Sequence, residues 1–258
     1  MGLGLCAALV FASCAKETPY SPGNPAGNMD VYFSEDNDAT VVMGLSDTEF
    51  EVYLERSDAG SAVTIPLTCW CNTEGIATFP ETVTFAAGED LAIITVKVSE
   101  AMEPFVEYQF NISIPEEYTQ PYKSDSGAPQ CGAVFYKEDY KPWATGTLYD
   151  DFLWEDYLPD TVVERSDMLG YYRIDNWLYL GNNFIFGWDG DQTFKSVVAS
   201  QPTGYNHPSY GMIYGTVVPA YSYYDEDDDA ICIAIKWTVS AGSFGTYYDV
   251  FYIEEYAN

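Results

Sequence analysis

From residue 29 onward the chain alternates apolar and polar side chains, the pattern of strands that bury one face. In "FEVYLER", Phe50, Val52 and Leu54 fall on one side and Glu51, Tyr53 and Glu55 on the other. The same rhythm runs through "AVTIPL" with Val63, Ile65 and Leu67, and through "IITVKV" with Ile94, Val96 and Val98. It continues in "YQFNISI" with Tyr108, Phe110, Ile112 and Ile114. With the apolar stretches at 31–33, 83–85 and 134–136, this predicts about seven short strands in roughly 110 residues, the density of an immunoglobulin-like sandwich.

The stretch "YKEDYKPW" is charged and carries Pro142, so residues 138–142 read as a linker between domains 29–137 and 143–258. Beyond it the chain is dense in aromatic residues and glycine. Apolar runs such as "GTLYDDFLW", "TVVERS", "YYRID", "NFIFGW", "KSVVAS", "YGMIYGTVV" and "YYDVFYIEE" are separated by turn signals such as "LPD", "GDQ" and "NHPSYG". "AICIAIKWTV" is nearly all apolar and predicts a central strand covered on both faces. No i, i+3, i+4 pattern is sustained over three turns, and no repeat of fixed period is visible. The expectation is an all-β protein: an N-terminal Ig-like β-sandwich followed by an aromatic-rich all-β domain.

Residues 3–12 form an uncharged run, which at 1.5 Å of rise per residue reaches only about half of the roughly 30 Å bilayer core. A short apolar run ending in small residues has the layout of a secretory signal and its cleavage site. Phe11-Ala12-Ser13-Cys14 resembles a bacterial lipobox. That resemblance implies removal of residues 1–13, acylation of Cys14 and a tether over residues 14–28, where Pro19, Pro22 and Pro25 favour extended backbone. The membrane is then a partner through the lipid alone.

"VTIPLT", "FPETVTFAAGEDLAIITVKV" and "VEYQFNISI" together resemble the Calx-beta and related Ig-like modules that open many Bacteroidota surface lipoproteins. The shared feature is a tight turn at Ala87-Gly88-Glu89 between two strands, where glycine permits a positive φ. The resemblance covers about residues 29–136. It implies a sandwich fold and an exported protein of the outer membrane, facing outward. Calx-beta modules of the exchanger type bind calcium through acidic loops, and no residue-by-residue match to such ligands is found here.

Composition narrows the chemistry. Ten Lys+Arg against 40 Asp+Glu give a formal net charge of -30, which repels polyanions and removes nucleic acid from the partner classes. No cofactor is expected: the run "DEDDD" reads as a solvated loop, because adjacent side chains cannot all turn inward on one ion, and calcium is the possible exception, with Asp225, Asp227 and Asp229 as its candidate ligands. An exported protein permits disulfides. Cys69 and Cys71 flank Trp70 in a strand-like stretch, so a bridge between them would be strained; the alternative joins one of them to Cys131, with Cys71 and Cys131 the candidate pair.

No G-x-S-x-G elbow or phosphate-binding glycine motif is present, and the single histidine, His207, lies in "YNHPSYG". These features point away from an enzyme. The aromatic share, 17% with 23 tyrosines, is high, and tyrosine rings beside turns supply rigid contact area for glycans or proteins. Trp177 and Tyr179, on one side of an extended "NWLYL", and Tyr205 and Tyr210, flanking the histidine, are the candidate ligand-binding residues. The expected function is that of a lipid-anchored, non-catalytic binding or accessory module, with glycans as the candidate ligand. The rival readings are a fimbrial structural subunit and a β-sandwich glycoside hydrolase acting through two carboxylates.

Overall fold

The computed structural model describes residues 29–120 and 127–257; Cys14, its lipidation and the 14–28 tether lie outside the described residues. The all-β expectation holds, since the helical pieces among the described residues are two 3₁₀ turns, Glu116–Tyr118 and Pro219–Tyr221. No described helix is long and apolar enough to cross a membrane. The residues gather into two compact units. One holds 29–39, Glu49–Ser99 and Gln109–Ala133; the other holds Thr40–Thr48, Glu100–Tyr108 and everything from Val134 onward.

The first ten strands are β1 (Val31–Phe33), β2 (Thr40–Gly44), β3 (Glu49–Arg56), β4 (Val63–Pro66), β5 (Thr68–Cys71), β6 (Ala77–Thr78), β7 (Thr82–Phe85), β8 (Leu91–Val98), β9 (Tyr108–Ser113) and β10 (Gln130–Glu138). They form two four-stranded sheets, β1-β3-β8-β6 and β2-β10-β9-β5, with β4 and β7 paired separately. The alternation read from the sequence sets their buried faces: Phe50, Val52 and Leu54 of β3, Ile94 and Val96 of β8, and Phe110 and Ile112 of β9 are all buried. Phe50 of one sheet meets Phe110 of the other at 5.4 Å between ring centroids, as the facing layers of a sandwich do.

Arg56 at the end of β3 is buried without a carboxylate partner among its hydrogen bonds. Its guanidinium donates instead to the carbonyls of Ser61, Ala86 and Glu89, each at 2.7 Å, and lies 4.8 Å from the Phe85 ring centroid. A planar five-donor group thereby ties two loops together through their main chain.

The stretch read as a linker is almost entirely strand, because β10 ends at Glu138 and β11 (Tyr140–Asp150) begins after the single residue Asp139. The remaining strands are β12 (Asp156–Ser166), β13 (Tyr171–Trp177), β14 (Asn182–Trp188), β15 (Phe194–Lys195), β16 (Gln201–His207), β17 (Gly211–Val217), β18 (Tyr223–Asp225), β19 (Ala230–Val239) and β20 (Gly242–Tyr256). They make a ten-stranded sheet in the order β15-β14-β13-β12-β11-β20-β19-β17-β16, with β18 beside β19. The "AICIAIKWTV" segment is β19, and residues 230–235 are all buried, as its apolar run predicts. "KSVVAS" is not a strand beyond Lys195.

This sheet curls until its two arms approach. Gln201 of β16 is buried, and its amide reads the main chain of β14: Nε2 donates to the Ile185 carbonyl at 2.8 Å, and Oε1 accepts from the Ile185 amide at 2.7 Å. Nearby, Gly204 has φ +92° and packs so tightly that a Cβ would lie 2.4 Å from the Leu180 carbonyl oxygen. Only glycine meets both conditions. The enclosed core is largely aromatic, with Trp177, Trp237, Phe184, Phe186 and Phe251 buried beside Ile174, Ile233 and Ile235.

Candidate functional site

Antiparallel order decides which connections of the second unit share an end. β11, β13, β16 and β19 run out where β12, β14, β17 and β20 begin, so the four intervening connections gather at one end of the curled sheet. Each brings aromatic rings. Phe152 and Trp154 lie between β11 and β12, Tyr179 between β13 and β14, Tyr210 between β16 and β17, and Phe244 opens β20.

The rings touch. Phe152 contacts Trp237, Tyr247 and Phe244 at centroid distances of 4.8, 5.0 and 5.4 Å. Tyr210 meets Phe244 at 5.8 Å and His207 at 4.8 Å, and Trp154 meets Tyr205 edge-on at 6.1 Å. Trp154 Nε1 donates to the Leu178 carbonyl at 3.1 Å, which fixes that indole against the neighbouring connection. Trp154, Tyr179 and Tyr210 remain 42%, 50% and 48% exposed. The result is a set of large rings, pinned from below and open above, suited to stacking on a flat, partly apolar ligand.

Beneath this end lie two fully buried carboxyls, Asp150 at the end of β11 and Asp249 in β20, directly opposite one another in the strand ladder. Asp150 accepts the backbone amides of Phe152, Leu153 and Trp154 at 3.2, 2.8 and 2.5 Å. It therefore caps the turn that carries two of the rings. Asp249 Oδ2 accepts Trp177 Nε1 at 2.7 Å. Burial, and then the charge of Asp150, push Asp249 well above the usual carboxylate range; burial also raises Asp150, against the lowering pull of its three amides.

No family model matches the chain, and no curated protein matches it. Among solved structures, the apo-form Calx CBD1 domain aligns with 42% of this chain and 96% of its own length, at 17% identity and a TM-score of 0.28. An auxiliary nutrient binding protein from Bacteroides thetaiotaomicron VPI-5482 aligns over 85% of this chain and 91% of its own, at 9% identity and a TM-score of 0.35. A Bacteroides ovatus protein of unknown function gives 86% and 93%, with 10% identity and a TM-score of 0.32. These are likenesses at low score, and no activity passes from them to this chain.

The structure brings Tyr205 and Tyr210 to the aromatic end, as two of the four sequence candidates, but it separates Trp177 from Tyr179. β13 stops at Trp177, and Leu178 and Tyr179 both take φ +59°, so the chain turns rather than extends. Trp177 points into the core with 0% exposure, stacked on Trp237 at 5.3 Å, while Tyr179 faces out and its hydroxyl donates to the Pro159 carbonyl. Trp177, expected to face a ligand, is instead a core residue with no exposed face.

The calcium candidates diverge. Asp229 Oδ1 accepts the hydroxyls of Tyr224 and Tyr256, and Asp225 Oδ1 accepts the Asp227 amide at 3.1 Å. Among the described residues no three acids, cysteines or histidines converge to hold a metal. The bend between β18 and β19 spreads consecutive side chains instead of gathering them.

The Cys71–Cys131 pairing is also corrected. All four described cysteines are free, and β5 and β10 flank β9 on opposite sides. Two strand spacings of about 4.8 Å leave roughly 9.6 Å between them, beyond the ~6.8 Å reach of a disulfide. Burial pushes the Cys69 and Cys131 thiols up, which makes them less reactive.

Trp154, Phe152, Phe244 and the two buried acids were missed by sequence reasoning. "GTLYDDFLW" read as one strand, although an aspartate followed by apolar residues is also the sign of a side chain capping a turn. In "YYDVFYIEE" the acid occupies the register shared by buried Phe251, and a polar residue on an inward position was the available signal for Asp249.

Proposed function

We propose that this protein is a non-catalytic accessory module that binds carbohydrate through the aromatic end of its second unit, and that it is exported and held at the outer membrane by a lipid on Cys14. The observation that carries the binding reading is the gathering of Trp154, Tyr179 and Tyr210 from three separate connections, beside the half-buried Tyr205 of β16, at one end of the curled sheet. Stacked sugar faces need several rings along one surface, with hydroxyl and imidazole groups at the margin, and Tyr210 beside His207 supplies such a margin. Asp150 and Asp249 are too deeply buried to flank a glycosidic bond, so this pair does not supply the two carboxyls that hydrolysis would need.

The test is binding to an array of neutral and acidic polysaccharides by wild type, Trp154→Ala and Tyr210→Ala. Each variant is expected to weaken binding by about 1–3 kcal/mol, by analogy with aromatic stacking on bases. Trp70→Ala, which removes an indole 55% exposed in the first unit, is expected to leave binding unchanged. Equal losses in all three variants, or no polysaccharide bound by wild type, would remove the carbohydrate reading. The anchor is checked separately: a fatty-acid probe should label wild type and leave Cys14→Ser unlabelled.

A further inference from the structure

The second unit buries two carboxyls that no ligand can reach, and their hydrogen bonds are arranged unequally. Both oxygens of Asp150 are occupied by the amides of Phe152, Leu153 and Trp154. Asp249 gives Oδ2 to Trp177 Nε1, while its Oδ1 is buried with no donor directed at it. The two residues are direct partners in the β11–β20 ladder. The two carboxyls are within hydrogen-bond reach of each other, and if both were ionised each would be an acceptor with Oδ1 left unpaired, a costly arrangement in a dry interior. A proton on Oδ1 turns it into a donor, with the Asp150 carboxylate as the acceptor opposite.

We propose that Asp150 and Asp249 hold one proton between them, and that this pair is the positioning element of the aromatic end. The ionised Asp150 keeps the three amides of the 152–154 turn and so places Phe152 and Trp154. The protonated Asp249 holds Asp150 on one side and Trp177 on the other. Trp177 leads directly into Leu178, whose carbonyl receives the Trp154 indole, so the circuit closes on the same ring from both directions. The charged groups acting on Asp249 are Asp150 and Asp151, both acids, and against them stands the neutral Trp177 Nε1–H rather than a cation.

The pH dependence follows. Above the ordinary carboxyl value, about 3.9, the native pair retains a proton that the unfolded chain has released. Stability from this pair is therefore greatest in acid and falls as pH rises through the raised native value. Asp249→Asn keeps a donor at this position and carries no titrating group, so it should flatten that part of the pH profile.

The experiment uses the full chain and three readouts. The infrared band of a protonated carboxyl should be present in wild type at neutral pH and absent from Asp249→Asn. Urea unfolding across a pH series should show Asp249→Asn gaining stability on wild type as pH rises. Amide exchange at 152–154, read at one pH, should stay protected in Asp249→Asn and accelerate tenfold or more in Asp150→Asn. Absence of the infrared band from wild type overturns the shared proton; loss of 152–154 protection in Asp249→Asn as large as in Asp150→Asn overturns the division of roles. Should Asp150→Asn fail to fold, the infrared and unfolding comparisons on Asp249→Asn still decide. The importance of the pair for a ligand rests on the carbohydrate reading, whereas these readouts use no ligand; a silent polysaccharide array with the three results intact removes that reading and leaves the proton pair standing.

Discussion

At Gly215 the packing of the second unit turns on a missing methyl group. A Cβ there would lie 2.6 Å from Cη2 of Trp177 and 3.0 Å from Cγ2 of Ile235. The indole that occupies this space also packs on Phe184 at 4.3 Å and on Trp237 at 5.3 Å, so a shift away from a new methyl would press on those rings. Gly215→Ala is expected to lower the free energy of unfolding by about 1–3 kcal/mol, the usual cost of forcing extra volume into a filled core. Urea titration of the variant against wild type measures it. An unchanged midpoint would show that Trp177 can shift, and Trp177 Nε1 would then be a weak hold on Asp249.

Among the elements, β14 and β16 are joined by a side chain where a ladder would otherwise run. Gln201 satisfies both main-chain groups of Ile185, and Gln201→Ala leaves that N–H and C=O without their partner inside the curl. A loss of about 1–3 kcal/mol per orphaned group is expected, visible as an earlier thermal midpoint. Gln201→Glu, which keeps the acceptor and gives up the donor, should fall on the same side of wild type.

This contrast between ladder and clamp also marks what the sequence made legible. β3, β8 and β9 could be read because a period of two is a local property of the chain, and β19 because its apolar run is unbroken. The turn after Trp177 could not be read. It starts with Asn176, Leu178 and Tyr179 at positive φ, ahead of the turn's glycine: Gly181, at φ +81°, only closes it, and Asn176 Oδ1 holds it by accepting the Gly181 amide at 2.8 Å. Tyr205 and Tyr210 were found because tyrosines flanking the single histidine stand out in the sequence, although Tyr205 lies in β16 and not in a loop. Trp154 and Phe244 join them only through the strand order, which is a property of pairing across the whole second half. The cysteine pairing failed for the same reason, since whether β9 lies between β5 and β10 is not written in either cysteine's neighbourhood.

For the molecule as a whole, the dominant quantity is charge. A formal net charge of -30 makes the folded chain repel itself, and added salt shortens the range of that repulsion from about 30 Å at 0.01 M to about 8 Å at 0.15 M. The thermal midpoint is expected to rise over this interval. The exposed Lys141–Asp167 pair, at 2.6 Å, works in the opposite sense because salt weakens it, but one exposed pair is outweighed by an excess of thirty acids. A midpoint that falls with salt in calorimetry would mean that local ion pairs, and not the overall field, govern stability.

The placement of the rings on connections gives the second unit a division of labour that bears on how such a surface can change over generations. On the carbohydrate reading proposed above, substituting Tyr179 or Tyr210, or lengthening the turn between β16 and β17, would alter what the end grips while leaving the hydrogen-bonded ladders untouched. On that reading folding and recognition draw on different residues, and selection can revise one without first rebuilding the other. The connection between β11 and β12 is the exception. Its shape is held by a carboxyl inside the core, so drift there is answerable to the fold as well as to the ligand, and of the four it is the one in which a new specificity would be hardest to reach by single steps.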